Sequence, residues 1–162
     1  MAEINLAVKK LQEKFPLSLL EVKTFREEVN ITVQRSDIFG ICQFLYSDPD
    51  LQFKMLTDLC GVDFFPEQPR FEVVYLLYSM KNQLRLRLKI KVGDSESVSS
   101  VESIWKAANW LEREVYDLFG IPFDNHPDLR RILLWDGYEG YPLRKDFPVE
   151  GPDFDKPFVP EV

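Results

Sequence analysis

The sequence predicts an α+β fold: a two-layer domain, a mixed β-sheet with helices on one side, continued by an extended proline-rich C-terminal tail. Three observations carry this prediction. Segments of helical and strand periodicity follow one another in the order α-β-β-α-β-β-β-α, an order that suits helices packed on a mixed sheet. One segment, "QLRLRLKIKV", alternates apolar and cationic residues without a break, as a strand with a single buried face must. Five prolines (Pro142, Pro148, Pro152, Pro157 and Pro160) then punctuate the end of the chain, where missing amide donors and restricted preceding residues disfavour helix.

The elements follow in order. Ile4, Val8, Leu11 and Phe15, with Ala7 beside them, have helical spacing, and Pro16 stops that helix. "SLLEVKTF" and "EVNITVQR" read as two strands turning near Arg26–Glu27, the second with Val29, Ile31 and Val33 in clean alternation. "SDIFGICQFLYSD" is a short helix capped by Ser36 or Asp37, with Ile38, Ile41, Cys42 and Leu45 on one face. Strands follow at about 53–64, 70–79 and 83–91. In the last of these Leu84, Leu86, Leu88 and Ile90 share one face, and Arg85, Arg87, Lys89 and Lys91 the other. That cationic face is either the wet side of a sheet or a surface that receives an acidic helix or partner. A polar connection, "VGDSESVSS", leads to a long helix over roughly 100–118, with Gly120 as its C-cap and Pro122 barring its resumption.

At 162 residues the chain is about one domain long. Residues 1–120 form the α+β core domain, and residues 121–162 an irregular loop and extended strap belonging to the same domain. The strap keeps Leu143, Phe147, Phe154, Phe158 and Val159, more apolar surface than a freely solvated tail retains. It grips either a neighbour or its own domain.

Net charge is −7, which argues against nucleic acid as a partner. The total hides a division: Arg70, Lys81, Arg85, Arg87, Lys89 and Lys91 stand against Glu72 alone within residues 70–91, so the remainder is strongly acidic. No apolar run approaches the roughly 20 residues that span a bilayer, and "MAEINLAVKKLQEKFPL" lacks a signal-peptide core. It reads as a mature start in a cytoplasmic or equivalent compartment. Cys42 and Cys60, with a single histidine in the chain, make no iron–sulfur or structural zinc set and read as reduced residues of the core. Phosphate-binding glycine loops, nucleophile elbows and flavin signatures are absent from the sequence, so this chain is expected to bind no cofactor of its own.

The long helix and the loop after it hold the chemistry. On a helical wheel Val101, Ile104, Ala108, Leu111, Val115 and Leu118 form one stripe. Glu112 falls beside that stripe, where a carboxylate must be neutral or meet a cation and donors. Arg113, Glu114, Asp117 and the large indole of Trp110 fall on the opposite face. Glu114 and Asp117 sit near the helix C-terminus, where the macrodipole disfavours anions. Arg130, Arg131, Arg144 and Lys145 lie within reach, and arginine can hold a carboxylate in two parallel bonds. Residues 112–146 therefore read as an ion-pair clasp that folds the irregular C-terminal third onto the helix. His126, between Asp124 and Asp128 and before Pro127, reads first as a structural hydrogen-bonder. Proton chemistry is a second reading, and a lone histidine is a poor metal site. Glu112 and Glu114, two apart on a helix, point about 200° apart and do not flank one bond.

These residues carry a resemblance. "WLEREVYDLFGIPFDNHPDLRRILL", followed by "GYPLRKDFP", closely resembles the signature of the 30 kDa subunit family of respiratory complex I, densely over residues 109–148. Where that family commonly has glycine before the His-Pro pair, this chain has Asn125. Asparagine best tolerates a left-handed backbone after glycine, so the turn is expected to survive. The resemblance implies a non-redox structural subunit in the peripheral arm of a proton-translocating NADH:quinone oxidoreductase, without a catalytic centre of its own. Electrons from NADH would pass through FMN and Fe–S clusters to quinone on other subunits. The implied partners are the quinone-pocket (49 kDa-type) subunit and the Fe–S subunits, with no nucleic acid and no direct membrane insertion. The implied location is the cytoplasmic side of the bacterial inner membrane. The signature and ion-pair residues would be Trp110, Glu112, Arg113, Glu114, Asp117, His126, Arg130, Arg131, Arg144, Lys145 and Asp146. Three rivals stand beside this reading: the homologous subunit of a membrane-bound hydrogenase or ferredoxin-linked complex, a free-standing enzyme using His126 with a carboxylate, and a binding module using the basic face of residues 85–91.

Overall fold

A computed structural model of the chain describes residues 2–26 and 28–150, with side chains from Leu6 onward. Helix α1 (Ala2–Lys14) leads into strands β1 (Leu19–Phe25) and β2 (Glu28–Val33), then helix α2 (Ile38–Ser47). Strands β3 (Met55–Asp63), β4 (Phe71–Ser79) and β5 (Leu84–Val92) follow, and after the short strand β6 (Val98–Ser99) come helix α3 (Ala108–Phe119) and strand β7 (Phe123–Asp124). The expected succession of helices and strands is observed, with β6 and β7 added as a small parallel pair.

The main sheet has the order β1-β2-β5-β4-β3. It is mixed because β2 and β5 run parallel while every other pairing is antiparallel. The β2–β5 pairing places Ile31 beside Leu88 and Val33 beside Ile90. Period-two alternation puts these apolar rows on one face, and there they meet Ala7 and Leu11 of α1, Ile41 and Leu45 of α2, and Ala108 and Val115 of α3 in a single core. Burying each such side chain contributes about 1.5–3 kcal/mol, so the alternation of β5 fixes both the sheet's register and the side its helices occupy. Helix α3 approaches β3 so closely that a Cβ on Gly61 would lie 2.8 Å from the Phe119 ring.

The opposite face of β5 is wet and largely neutralised from within. Lys89 and Lys91 both pair with Glu72, at 2.8 and 3.2 Å, and Arg87 pairs with Glu28 at 3.1 Å. This favours the plain reading of the cationic face. Cys42 is buried and Cys60 half-buried, both as free thiols.

Three expectations are corrected. Asp37 occupies the cap of α2 with a helical backbone and no side-chain capping bond; its carboxylate instead accepts the Ser18 hydroxyl. The helix expected from about residue 100 begins at Ala108. Residues 101–107 are turns because Trp105 is drawn into the core, its indole N–H donating to the Phe53 carbonyl at 3.2 Å, while Val101 N–H is taken by the Glu112 side chain. From Pro142 to Phe147 the tail is turned, not extended, with Arg144 N–H donating to Tyr141 O and Phe147 N–H to Arg144 O. The rest of the expected strap, residues 151–162, lies outside the described residues.

Candidate functional site

The face that α3 presents to the core is set by Ala108, Glu112, Val115 and Phe119, spaced four, three and four. Leu111 and Leu118 flank it, half-buried. Gly120 ends the helix with φ 73°, and its amide donates to Tyr116 O. Glycine is required there twice over. The left-handed backbone disfavours a side chain, and a Cβ would stand 2.5 Å from the Tyr141 ring and 2.8 Å from the Arg144 guanidinium. The same side chains close the helix end: Arg144 Nε donates to Phe119 O at 2.6 Å, satisfying a terminal carbonyl with a cation.

Asp117 is the first anchor. The wheel places it away from the core with Arg113, Glu114 and Trp110, yet it is wholly buried, because residues 131–134 fold over it. Its Oδ1 pairs with Arg131 at 2.7 Å, and its Oδ2 accepts three successive backbone amides, those of Ile132, Leu133 and Leu134, at 3.0, 2.8 and 2.9 Å. Burial alone would raise this carboxyl. The Leu134 amide, Arg131 and the other two amides outweigh it and hold the group below its usual range. Arg131 also donates to the main-chain carbonyls of Asp117, Tyr138 and Gly140. Arg113 contributes by donating to Arg130 O and Arg131 O instead of pairing with Asp117.

The second anchor includes Asp146, which the sequence reading named, but is centred on Arg70 and Asp63, which it missed. Arg70, at the start of β4, grips Asp63 at the end of β3 in two bonds of 2.8 and 3.0 Å, and reaches Asp146 at 2.5 Å and Asp94 at 3.3 Å. Asp63 Oδ2 also accepts the Lys145 amide at 2.8 Å. Burial would lift Asp63, but the Arg70 fork and the Lys145 and Phe65 amides hold it well below the ordinary carboxylate range. The one signal in the sequence was "VDFFPEQPR", an acid and an arginine at the two feet of a hairpin.

Glu112 is wholly buried and pairs with no arginine among the described residues; of the clasp acids on α3, it is Asp117 that Arg131 serves. Glu112 instead accepts the Ser100 hydroxyl at 2.6 Å and the Val101 amide at 2.7 Å. His126 Nε2 lies 3.9 Å from it. That nitrogen donates to Asn109 O at 3.0 Å, while Nδ1 accepts the Asp128 amide at 3.0 Å, so the ring is locked between helix and loop. Asn125 adopts φ 63°, so the left-handed turn before His126 survives without glycine. Arg130 pairs with Asp128 in the open. Lys145 acts through its backbone, and Glu114 is exposed with no ion pair among the described residues.

The two anchors thus fix residues 130–147 against α3 and β3. Outward stand Trp110, 71% exposed, Leu133, 62%, and Trp135, 58%. Trp135 is held edge-on to Tyr138 with ring centroids 4.8 Å apart. No helix among the described residues is long and apolar enough to cross a membrane. No group of three or more potential metal ligands is found among them.

Residues 31–153 match the family described as respiratory-chain NADH dehydrogenase, 30 Kd subunit. The chain is 55% identical over 155 residues to the C subunit of the NADH-quinone oxidoreductase of Geobacter sulfurreducens, and 56% identical over 154 residues to that of Geobacter metallireducens. Each alignment covers 94% of both chains. The C 2 subunit of the Rhizobium meliloti NADH-quinone oxidoreductase is 52% identical over 119 residues, 74% of this chain and 65% of that one.

Proposed function

Because the chain belongs to the respiratory-chain NADH dehydrogenase 30 kDa subunit family, we propose that it serves NADH–quinone oxidoreductase as a rigid bracket, holding neighbouring subunits of the peripheral arm in register. NADH, FMN, Fe–S clusters and quinone belong to the complex. This chain's part is to present a surface of fixed shape, since electron transfer tolerates little change in distance between centres. The neighbours are the quinone-pocket (49 kDa-type) subunit and the Fe–S subunits, met on the cytoplasmic side of the inner membrane.

The observation that supports this reading is the anchored segment itself. An irregular stretch pinned by two buried ion-pair networks exposes rigid aromatic and aliphatic side chains, the kind that dominate binding energy at interfaces. Pre-ordering that stretch removes an entropic cost from assembly. The rival readings find less support. The relatives are named as NADH-quinone oxidoreductase subunits, not hydrogenase subunits. Both ring nitrogens of His126 are committed to backbone groups, and three of the four cations of the basic strand face, Arg87, Lys89 and Lys91, are paired internally.

The test replaces Trp110 or Trp135 by alanine in the organism's own complex. Trp110→Ala leaves the isolated chain's stability within about 0.5 kcal/mol, and Trp135→Ala, which also loses the Tyr138 contact, within about 1.5 kcal/mol, while the yield of assembled complex on native gels falls and fewer subunits co-purify. A complex that assembles fully but turns over slowly would reopen a catalytic role for this chain.

A further inference from the structure

Glu112 is the one wholly buried carboxylate of α3 that the bracket does not use. Its oxygens receive a hydroxyl and an amide, but no lysine or arginine among the described residues pairs with it. The titratable groups around it come from four segments: Cys42 of α2, Tyr75 of β4, Glu102 of the turn before α3, and His126 after β7. None brings a fixed positive charge. The Tyr75 hydroxyl is buried with no partner, and the Cys42 thiol is pushed up by burial and then by Glu112. The neighbourhood thus disfavours a second negative charge throughout.

One route leads out. Ser100, whose hydroxyl touches Glu112 Oε2, lines a surface groove of about 600 Å³ together with Asn125 and Asp37. Its amide donates to Asp124 O at 2.9 Å, extending the β6–β7 pairing by one residue. Burial is the dominant influence on Glu112 and pushes its carboxyl up to about 7, against the pull of Ser100 and Val101.

We propose that Glu112 is a buried proton-binding site that exchanges with the groove through the Ser100 hydroxyl, its charge setting how tightly the strand at residues 98–101 is tied to α3. In the ionised state Ser100 Oγ–H and Val101 N–H both donate to the carboxylate as charge-assisted bonds. On uptake, a hydronium ion in the groove gives its proton to Ser100 Oγ as the Ser100 proton passes to Glu112 Oε2, leaving a neutral water, a neutral serine and an uncharged carboxyl. The new carboxyl O–H then donates to Ser100 Oγ, and the serine's own hydrogen turns toward the groove. Val101 keeps its acceptor but loses the charge that strengthened the bond, so the tie between residues 98–101 and α3 loosens as the site fills.

The experiment follows the Glu112 side-chain carboxyl by carbon NMR of the labelled full chain from about pH 4 to about pH 9. Amide exchange at Val101 is measured alongside. The expected midpoint is about 7, with protection of Val101 rising across the same transition. Glu112→Gln abolishes that pH response while leaving the amides of Ile132–Leu134 unaffected. Ser100→Ala, which removes one donor to the charged form, moves the midpoint upward. A midpoint at the ordinary glutamate value near 4.3, or a Val101 response that survives Glu112→Gln, overturns the proposal. An unmoved midpoint in Ser100→Ala overturns the serine's part in it. Should the glutamine variant fail to fold, the wild-type midpoint and the coincidence of the Val101 response decide alone.

Discussion

Replacing Asp117 by asparagine changes a single atom type at the centre of the first anchor. The remaining carbonyl oxygen can still face the amides of Ile132, Leu133 and Leu134, all three of which now meet Oδ2. The new amide nitrogen then points at the Arg131 guanidinium, donor against donor, where a 2.7 Å ion pair stood. Breaking a buried pair by neutralising one partner costs about 3–5 kcal/mol. Arg131 is 19% exposed at its side chain and keeps three carbonyl acceptors, those of Asp117, Tyr138 and Gly140, so the low end applies, about 3 kcal/mol. At about 1.4 kcal/mol per power of ten, the segment opens about a hundredfold more often. Native-state amide exchange of residues 132–134 should accelerate by about that factor, while amides of β4 and β5, which open only with global unfolding, stay as they were. If the three amides change by less than about threefold, or if the loss spreads evenly to β5, the idea of a local anchor fails.

Three further outcomes are expected. Arg70→Ala leaves Asp63 buried and unpaired, at a cost of about 3–5 kcal/mol. Calorimetry should show a fall in Tm of about 10 °C, at about 2–4 °C per kcal/mol for this size. Stability should be greatest in mildly acid solution. The folded state binds the Glu112 proton more tightly than the unfolded chain does, so stability worth about 3 kcal/mol is present below pH 4.5 and lost as pH rises through about 7. Asp63 and Asp117 are shifted the other way, so their contribution is present above the unfolded carboxylate range and disappears as pH falls below it. Denaturant titrations across pH test both limbs, and Glu112→Gln should flatten the neutral one. Gly120→Ala should destabilise by more than Gly137→Ala. Both positions have positive φ, at 73° and 86°, but a Cβ at Gly137 meets nothing within 4 Å whereas one at Gly120 collides with Tyr141. The backbone strain common to both is about 1 kcal/mol, and urea midpoints read the difference.

What the sequence made legible was whatever repeats along it. The alternation of β5, the spacing of α2's core face and the glycine that ends α3 are local, and each appears where expected. The absence of helix before Ala108 was hidden because Trp105 and Val101 are claimed by Phe53 O and Glu112, partners distant in the chain or reached by a fold back. Asp117 illustrates the same limit. A wheel assigns it to the outer face, and only the return of residues 131–134 makes that face an interior. The clasp itself was legible from the mixture of acids and arginines, but its pairing was not. Arg131 and Asp117 were both candidates, whereas the Arg70–Asp63–Asp146 group joins three segments that no periodicity links.

The grip of Asp117 on three consecutive peptide amides has one more consequence. A main-chain amide is the same under every side chain but proline's, so this hold is indifferent to which of the other residues stands at positions 132, 133 and 134. Evolution can therefore recarve the outward knobs, Leu133 foremost, to suit a changing neighbour without disturbing how the stretch is moored. The attachment is generic, and the face it displays is left open to tailoring.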